Sequence, residues 1–224
     1  MNKTIYHGSK TIIEKPKFNF GKRYNDFGLG FYTTEHIDLA NEWAVNDGSN
    51  GVINTYTLSL DNLSILNLND SYFSILNWLA ILLENRYFTL QGEISIDGRE
   101  YIINNFSLPY DTYDVIIGYR ADNTFFSYAQ DFLNNTISLR KLKESINVGK
   151  DGEQIVIKSE KAFDSLSFID SEEVLKDEWY CKKIERETAS IEDYYSHKIK
   201  LTKDDIFIVD ILNKEMKNED ILLQ

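Results

Sequence analysis

Cysteine, proline and histidine are scarce in this chain: 224 residues contain one, two and three of them respectively. The lone thiol, Cys181, excludes an internal disulfide, and no cysteine or histidine stands beside it at metal-ligand spacing. Two prolines and eleven glycines exclude collagen-like and low-complexity architectures. The densest apolar stretch, Trp78 to Leu83, falls far short of the roughly 20 residues that span a bilayer. The opening Met1-Asn2-Lys3-Thr4 leads into a strand-like segment without the apolar run of a secretory leader, so a cytoplasmic chain is expected, with no membrane partner. His7, His36 and His197 are widely separated and no H-E-x-x-H occurs, so no metal is expected. A P-loop and a G-x-S-x-G elbow are missing too. Gly28-Leu29-Gly30 lacks a third glycine and precedes a strand, unlike a dinucleotide-binding G-x-G-x-x-G.

What is present is a core-forming composition, 42% hydrophobic with 13% aromatic residues, and a formal charge of −12. That balance opposes a surface that coats nucleic acid as a whole. The distribution is uneven. Residues 1–23 hold Lys3, Lys10, Lys15, Lys17, Lys22 and Arg23 against Glu14, a local balance of +5 that leaves −17 for the remainder. The basic end reads either as a solvated strand and loop or as an anion-facing surface.

Periodicity gives an irregular order of elements. Ile5-Tyr6 begins a short strand, and 11–30 is a polar, glycine-broken loop. From Thr34, a candidate N-cap, Ile37, Ala40 and Ala44 fall on one face of a helix ending near Asn46. Tyr56, Leu58 and Leu60 alternate along a strand over 54–60, and 71–86 reads as a buried helix. Val115-Ile116-Ile117-Gly118 is a buried strand, with helices over 123–134 and 138–146. Gln154–Ser159 is a further strand, followed over 160–169 by a brief helix and a last short strand. Beyond residue 170 the composition turns acidic and lysine-rich with helical spacing, Ile206, Val209, Leu212 and Met216 marking one stripe. Without a βαβ rhythm the reading is α+β: one domain over 1–169 and an acidic helical extension over 170–224.

The residues suited to chemistry are few. Tyr6-His7-Gly8-Ser9 leaves the first strand. Asp26-Phe27-Gly28-Leu29-Gly30-Phe31-Tyr32-Thr33-Thr34 enters the next, with Leu39-Ala40-Asn41-Glu42-Trp43-Ala44 after it. Tyr113-Asp114-Val115-Ile116-Ile117-Gly118-Tyr119-Arg120-Ala121-Asp122-Asn123 surrounds a third, and Glu153-Gln154-Ile155-Val156-Ile157 opens a late one. In that order these segments resemble the ADP-ribosyltransferase superfamily, in the His-Tyr-Glu branch shared by diphtheria-like toxins and poly(ADP-ribose) polymerases. More narrowly, residues 3–169 are similar to the bacterial DUF3990 family.

The resemblance implies a split, strongly twisted antiparallel β core with flanking helices, NAD+ as co-substrate, and transfer of ADP-ribose to a protein or nucleic acid with release of nicotinamide. It also implies a toxin, effector or defence enzyme, at work in the cytoplasm or delivered into another cell, with a cognate inhibitor or antitoxin as a partner. By the same resemblance the Gly8 backbone holds the nicotinamide carboxamide, Ser9 adds a hydroxyl, and His7 reaches the adenosine-side ribose. Tyr32 and Trp43 stack on the nicotinamide, while Gly30 lets Phe31 and Tyr32 enter the pocket. Asp114 and Arg120 would border the acceptor side.

The third catalytic position has two candidates. Glu153 keeps an acid at the head of the strand, whereas the narrower family's pattern sets a glutamine at Gln154. Adjacent strand residues face opposite ways, so one of the two enters the pocket. A carboxylate there can stabilise positive charge and take a proton; an amide can orient a hydroxyl but not act as a base. Three other readings stay open: an NAD+ glycohydrolase, a non-catalytic NAD or ADP-ribose binder, and a structural protein whose aromatics are core. Asp122-Asn123 also reads as a plain helix cap.

Overall fold

A computed structural model describes residues 1–121, 123–148, 152–196 and 200–222. Its elements run in the order β1 (Asn2–Ser9), β2 (Phe31–Thr33), α1 (Ile37–Ala44), β3 (Gly51–Ser59), β4 (Ile65–Asn67), α2 (Ile75–Asn85), α3 (Glu93–Phe106), β5 (Val115–Tyr119), α4 (Asn123–Leu133), α5 (Leu139–Val148), β6 (Glu153–Ile157), α6 (Glu160–Asp164), β7 (Leu166–Val174), α7 (Lys176–Ser196), α8 (Ile208–Asn213) and α9 (Asn218–Leu222). The class is α+β. Two sheets form, one ordered β1-β3-β7 and the other β2-β6-β5-β4. The first is antiparallel throughout, but β4 runs parallel to β5, so the second is mixed where an antiparallel core was expected.

The sheets meet through one bridge. Tyr6 and Thr34 exchange both backbone hydrogen bonds, at 2.8 and 3.0 Å, joining the edge of β1 to the end of β2. Alternation then sorts the side chains. Ile5, Phe31, Tyr56, Leu58, Val115, Ile117, Ile155 and Ile157 form an apolar layer between the sheets. The opposite face of the second sheet, with Val156 and Ile116, is covered by α2, α4 and their neighbours. α1 lies on the outer face of the first sheet, where Ala40, Ala44 and Val45 pack on Ile53.

Local chemistry accounts for several boundaries. α2 starts at Ile75 because Ser74 and Asn77 close a capping box, so the expected start at Ser71 moves inward. α1 begins at Ile37 because Thr34 belongs to the bridge and spends its hydroxyl on the His36 N–H. α3 has no counterpart in the sequence reading. It carries Gly98 in mid-helix, several isoleucines and no capping side chain. The glycine has a packing role, since a Cβ there would come within 2.6 Å of Ile208 Cγ1.

Residues 170–174, expected to open a helical extension, belong to β7, whose pairing with β3 runs from Leu166 to Val174. The tail also enters the main core through Ile206, Ile208, Ile211, Met216 and Ile221. The anticipated stripe is therefore displaced: Val209 and Leu212 are only half-buried, because the helix starts at Ile208 and leaves Ile206 in the preceding turn. Among the described residues no helix is long and apolar enough to cross a membrane.

Candidate functional site

The Tyr6–Thr34 bridge fixes which groups share a surface. Tyr6 directs its N–H and C=O away from β3, and Gly8, two residues on, directs its own the same way. In side-chain terms Tyr6 and Gly8 share the face of Thr34, the partner of Tyr6 across the split. β2 and β6 pair Tyr32 with Val156 and Thr33 with Ile155, so the register continued by one residue sets Gln154 opposite Thr34. Gly8, Tyr32, Thr34 and Gln154 therefore occupy one face. His7, Ser9, Phe31, Ile155 and Glu153 occupy the other.

Helix α1 completes that face. An added Cβ on Gly8 would lie 2.1 Å from the Ala40 carbonyl oxygen, 2.6 Å from the Ala44 nitrogen and 3.0 Å from Trp43 Cβ. Only a glycine lets the helix come so near, and the contact brings Trp43 against the Gly8 edge. The Arg120 guanidinium carbon sits 5.5 Å from the Trp43 ring centroid. Trp43 Nε1 is buried and donates to no acceptor among the described residues.

Gln154 is 3% exposed. Its Nε2 donates to Asp26 Oδ2 at 3.0 Å, and the same oxygen accepts the Ala121 N–H at 2.8 Å. Asp26 Oδ1 accepts from Arg86 Nη1 at 2.6 Å. This arrangement turns the amide so that Oε1 remains its acceptor. Burial pushes the Asp26 carboxyl upward, opposed by the hydrogen bonds from Ala121 and Gln154 and by the nearby Arg86 and Arg120 charges. The Tyr32 hydroxyl donates to the Gly28 carbonyl at 2.6 Å and accepts the Phe27 N–H at 3.1 Å. Burial raises that phenol strongly, so it stays protonated.

His7 lies on the opposite side, its ring centroid 4.3 Å from that of Phe31. Its Nδ1 lies 2.7 Å from the Tyr32 carbonyl oxygen, which only accepts, so Nδ1 carries a hydrogen. Burial lowers the imidazole, against the raising effect of that bond, and favours the neutral form with a free lone pair on Nε2. His7 and Tyr32 are thus joined through the strand backbone while their rings stand on different faces.

The remaining candidates have structural partners. Ser9 Oγ donates to the Thr11 carbonyl at 2.6 Å and accepts from Asn54 Nδ2 at 2.9 Å, pinning the following loop. Phe31 is buried between the sheets. Gly30 permits the close approach of β6, since a Cβ would meet Val156 Cγ1 at 2.6 Å. Glu153 is half-buried and accepts from Asn69 Nδ2. Asp114 clamps Ser64 and Ser159 at the other end of the sheet, and the Ser159 hydrogen bond draws its carboxyl downward. Asp122 lies outside the described residues. The sequence reading passed over Asp26 and Asn54; both are fully or nearly buried polar residues, and the signal available was an aspartate opening a glycine-rich motif.

A family model for DUF3990, a protein of unknown function, matches residues 3–168. The chain belongs to the DUF3990 family. No curated protein and no solved structure matches it. In DUF3990 terms, the matched span includes both sheets up to the early part of β7, and hence the whole face built from Gly8, Tyr32, Trp43 and Gln154.

Proposed function

We propose that this DUF3990 protein binds NAD+ across the Gly8 face and transfers ADP-ribose to a macromolecular acceptor, the activity of the ADP-ribosyltransferases its motifs resemble. One observation carries the reading: Gly8, with Trp43 seated against it, lies on the face of the split that also bears Tyr32 and Gln154. The residues fit the substrate. The Gly8 N–H and C=O offer a donor and an acceptor to a carboxamide, two aromatic rings suit a flat pyridinium, and the unpartnered Trp43 N–H awaits an acceptor.

In the reaction the bond between ribose C1′ and the nicotinamide nitrogen breaks, and its electron pair neutralises the pyridinium. The acceptor's lone pair forms the new C1′ bond and its proton passes to solvent. Gln154 Oε1, fixed by the Asp26 contact, can accept from a ribose hydroxyl and orient it. An amide takes no proton, so the acceptor must already be nucleophilic. Gln154, and not Glu153, fills the third position in this proposal, because it shares the face of Tyr32.

The test incubates pure protein with NAD+ labelled in its adenylate half and a cell lysate, following nicotinamide release and label on macromolecules. Transfer is expected, lost in Trp43→Ala and Gln154→Ala and kept in Glu153→Ala. Intact NAD+ with no thermal shift on its addition overturns the reading. Free ADP-ribose without labelled macromolecule would make water the acceptor. A second reading, an NAD or ADP-ribose binder without turnover, is favoured by the amide standing where an acid would supply the base. Calorimetric binding without nicotinamide release distinguishes it.

A further inference from the structure

The stretch Lys15-Pro16-Lys17-Phe18-Asn19-Phe20-Gly21-Lys22-Arg23-Tyr24 lies between β1 and β2 and alternates cations with aromatic rings. Buried aromatics are the rule in this chain, yet here Phe18 is 40%, Phe20 77% and Tyr24 84% exposed. Lys10, Lys15, Lys17, Lys22 and Arg23 are exposed as well, and among the described residues none of them forms an ion pair. They stand on a molecule whose other residues sum to −17, so the patch is set apart from its surroundings.

The loop is anchored at both ends. The Ile13 N–H donates to Asn54 Oδ1 at 2.7 Å, and the Tyr56 hydroxyl donates to the Ile13 carbonyl. Further along, the Phe20 N–H donates to the Lys17 carbonyl at 3.2 Å, and Asn25 Nδ2 to the Lys22 carbonyl at 3.2 Å. Asn19, at φ 59°, makes the turn between the two exposed phenylalanines. The rings are therefore presented on a built turn.

Beside them lies a cavity of about 430 Å³ lined by Phe18, Arg23, Gly28, Asn85, Asp111 and Lys158. Lys158 Nζ is held by the Phe27 carbonyl at 2.7 Å and by Asp111 at 2.9 Å. Asn85 Nδ2 is committed to the Ile81 carbonyl and the Tyr110 hydroxyl, which leaves Oδ1 as acceptor. Gly28, at φ 71°, keeps this wall open: a Cβ would come within 2.7 Å of Asn85 Oδ1 and 3.7 Å of Lys158 Nζ. The cavity offers donors and acceptors with a ring at its side, the set that reads the edge of a nucleobase.

We infer that this loop and cavity bind single-stranded nucleic acid, with bases stacking on Phe18, Phe20 and Tyr24, one base edge entering the cavity, and the lysines and Arg23 holding the phosphates. DNA and RNA share this chemistry. Binding requires no NAD+. That the bound strand is the ADP-ribose acceptor rests on the transferase reading above.

The test uses fluorescein-labelled 15-nucleotide single strands of DNA and of RNA, and the DNA duplex of the same sequence, in anisotropy titrations without NAD+. Both the preferred single strand and a weaker duplex are expected, with log affinity falling against log salt at a slope of about −3 if most of the five cations meet phosphates. Phe18→Ala, Phe20→Ala and Tyr24→Ala are each expected to weaken single-strand binding on the order of five- to a hundredfold. Lys15→Gln/Lys17→Gln/Lys22→Gln/Arg23→Gln should flatten the salt slope. These positions are exposed, so unchanged thermal midpoints separate lost binding from unfolding. Absence of binding at low salt, equal affinity for the duplex, or aromatic variants that bind like the parent would overturn the inference. Oligonucleotide binding without ADP-ribosylation would keep it and remove the transferase reading; labelled protein from a nuclease-treated lysate with no oligonucleotide binding would do the reverse.

Discussion

Gly8→Ala tests the seating of α1 on the first sheet. The new methyl would lie 2.1 Å from the Ala40 carbonyl oxygen and 2.6 Å from the Ala44 nitrogen, both backbone atoms without a flexible side chain to yield. Since Cβ atoms essentially never approach another atom within 3.0 Å, the helix must retreat by about 1 Å or the strand must bend. Retreat opens the Ala40, Ala44 and Val45 contacts on Ile53 and draws Trp43 away from the strand edge. Overpacking of this kind costs about 1–3 kcal/mol, and the backbone obstacle places this case near 3. For a chain of this size that lowers the thermal midpoint by about 6–12 °C, measurable by calorimetry. Gly51→Ala probes the same seating from β3, since its methyl would meet the Ala44 carbonyl oxygen at 2.1 Å. Both variants should lose stability and, as α1 carries Trp43 with it, NAD+ binding as well. A Gly8→Ala midpoint within 2 °C of the parent would refute the packing argument.

Three other outcomes follow from the same geometry. Arg86→Met leaves the 6%-exposed Asp26 carboxylate without its ion-paired guanidinium and should cost about 3 kcal/mol in urea denaturation, part of it recovered in the Asp26→Asn/Arg86→Met double variant. Because burial lowers His7 in the folded state, the unfolded chain binds the extra proton below about pH 6.5. Stability from this group is full above that pH and falls on acidification; His7→Gln should remove that share of the pH dependence of the urea midpoint. Gln154→Leu deprives Asp26 Oδ2 of one donor and should destabilise the fold by about 1–3 kcal/mol, whereas Glu153→Gln, at the half-buried head of the strand, should stay within about 0.5.

Much of the framework was legible because its elements bury one face with a clear period. α4, α5 and β5 fall within a residue or two of their expected limits. α3 was not legible, since its helix signal is weakened by Gly98, whose reason is contact with Ile208, a residue over a hundred positions away. Which of Glu153 and Gln154 shares the face of Tyr32 could not be read from alternation alone, because apolar residues follow on both faces. It needed the pairing of β2 with β6, which no local pattern carries. Gly8 was singled out for an open backbone edge, and the helix lying on its other side became visible only with the tertiary contact. Asp26 stood at the head of a glycine-rich motif with no role assigned; its burial depends on Arg86, Ala121 and Gln154 arriving from three distant segments.

The β2–β6 pairing also bears on how the molecule comes off the ribosome. Tyr32 finds its neighbour Val156 only after more than a hundred further residues have been made, and β3 gains its second flank from β7 later still. A nascent chain stopped before β6 has Asp26 without Gln154 and the second sheet without the inner strand that joins β2 to β5. Until β6 is in place, the face around Gly8 lacks both Gln154 and the strand that carries it.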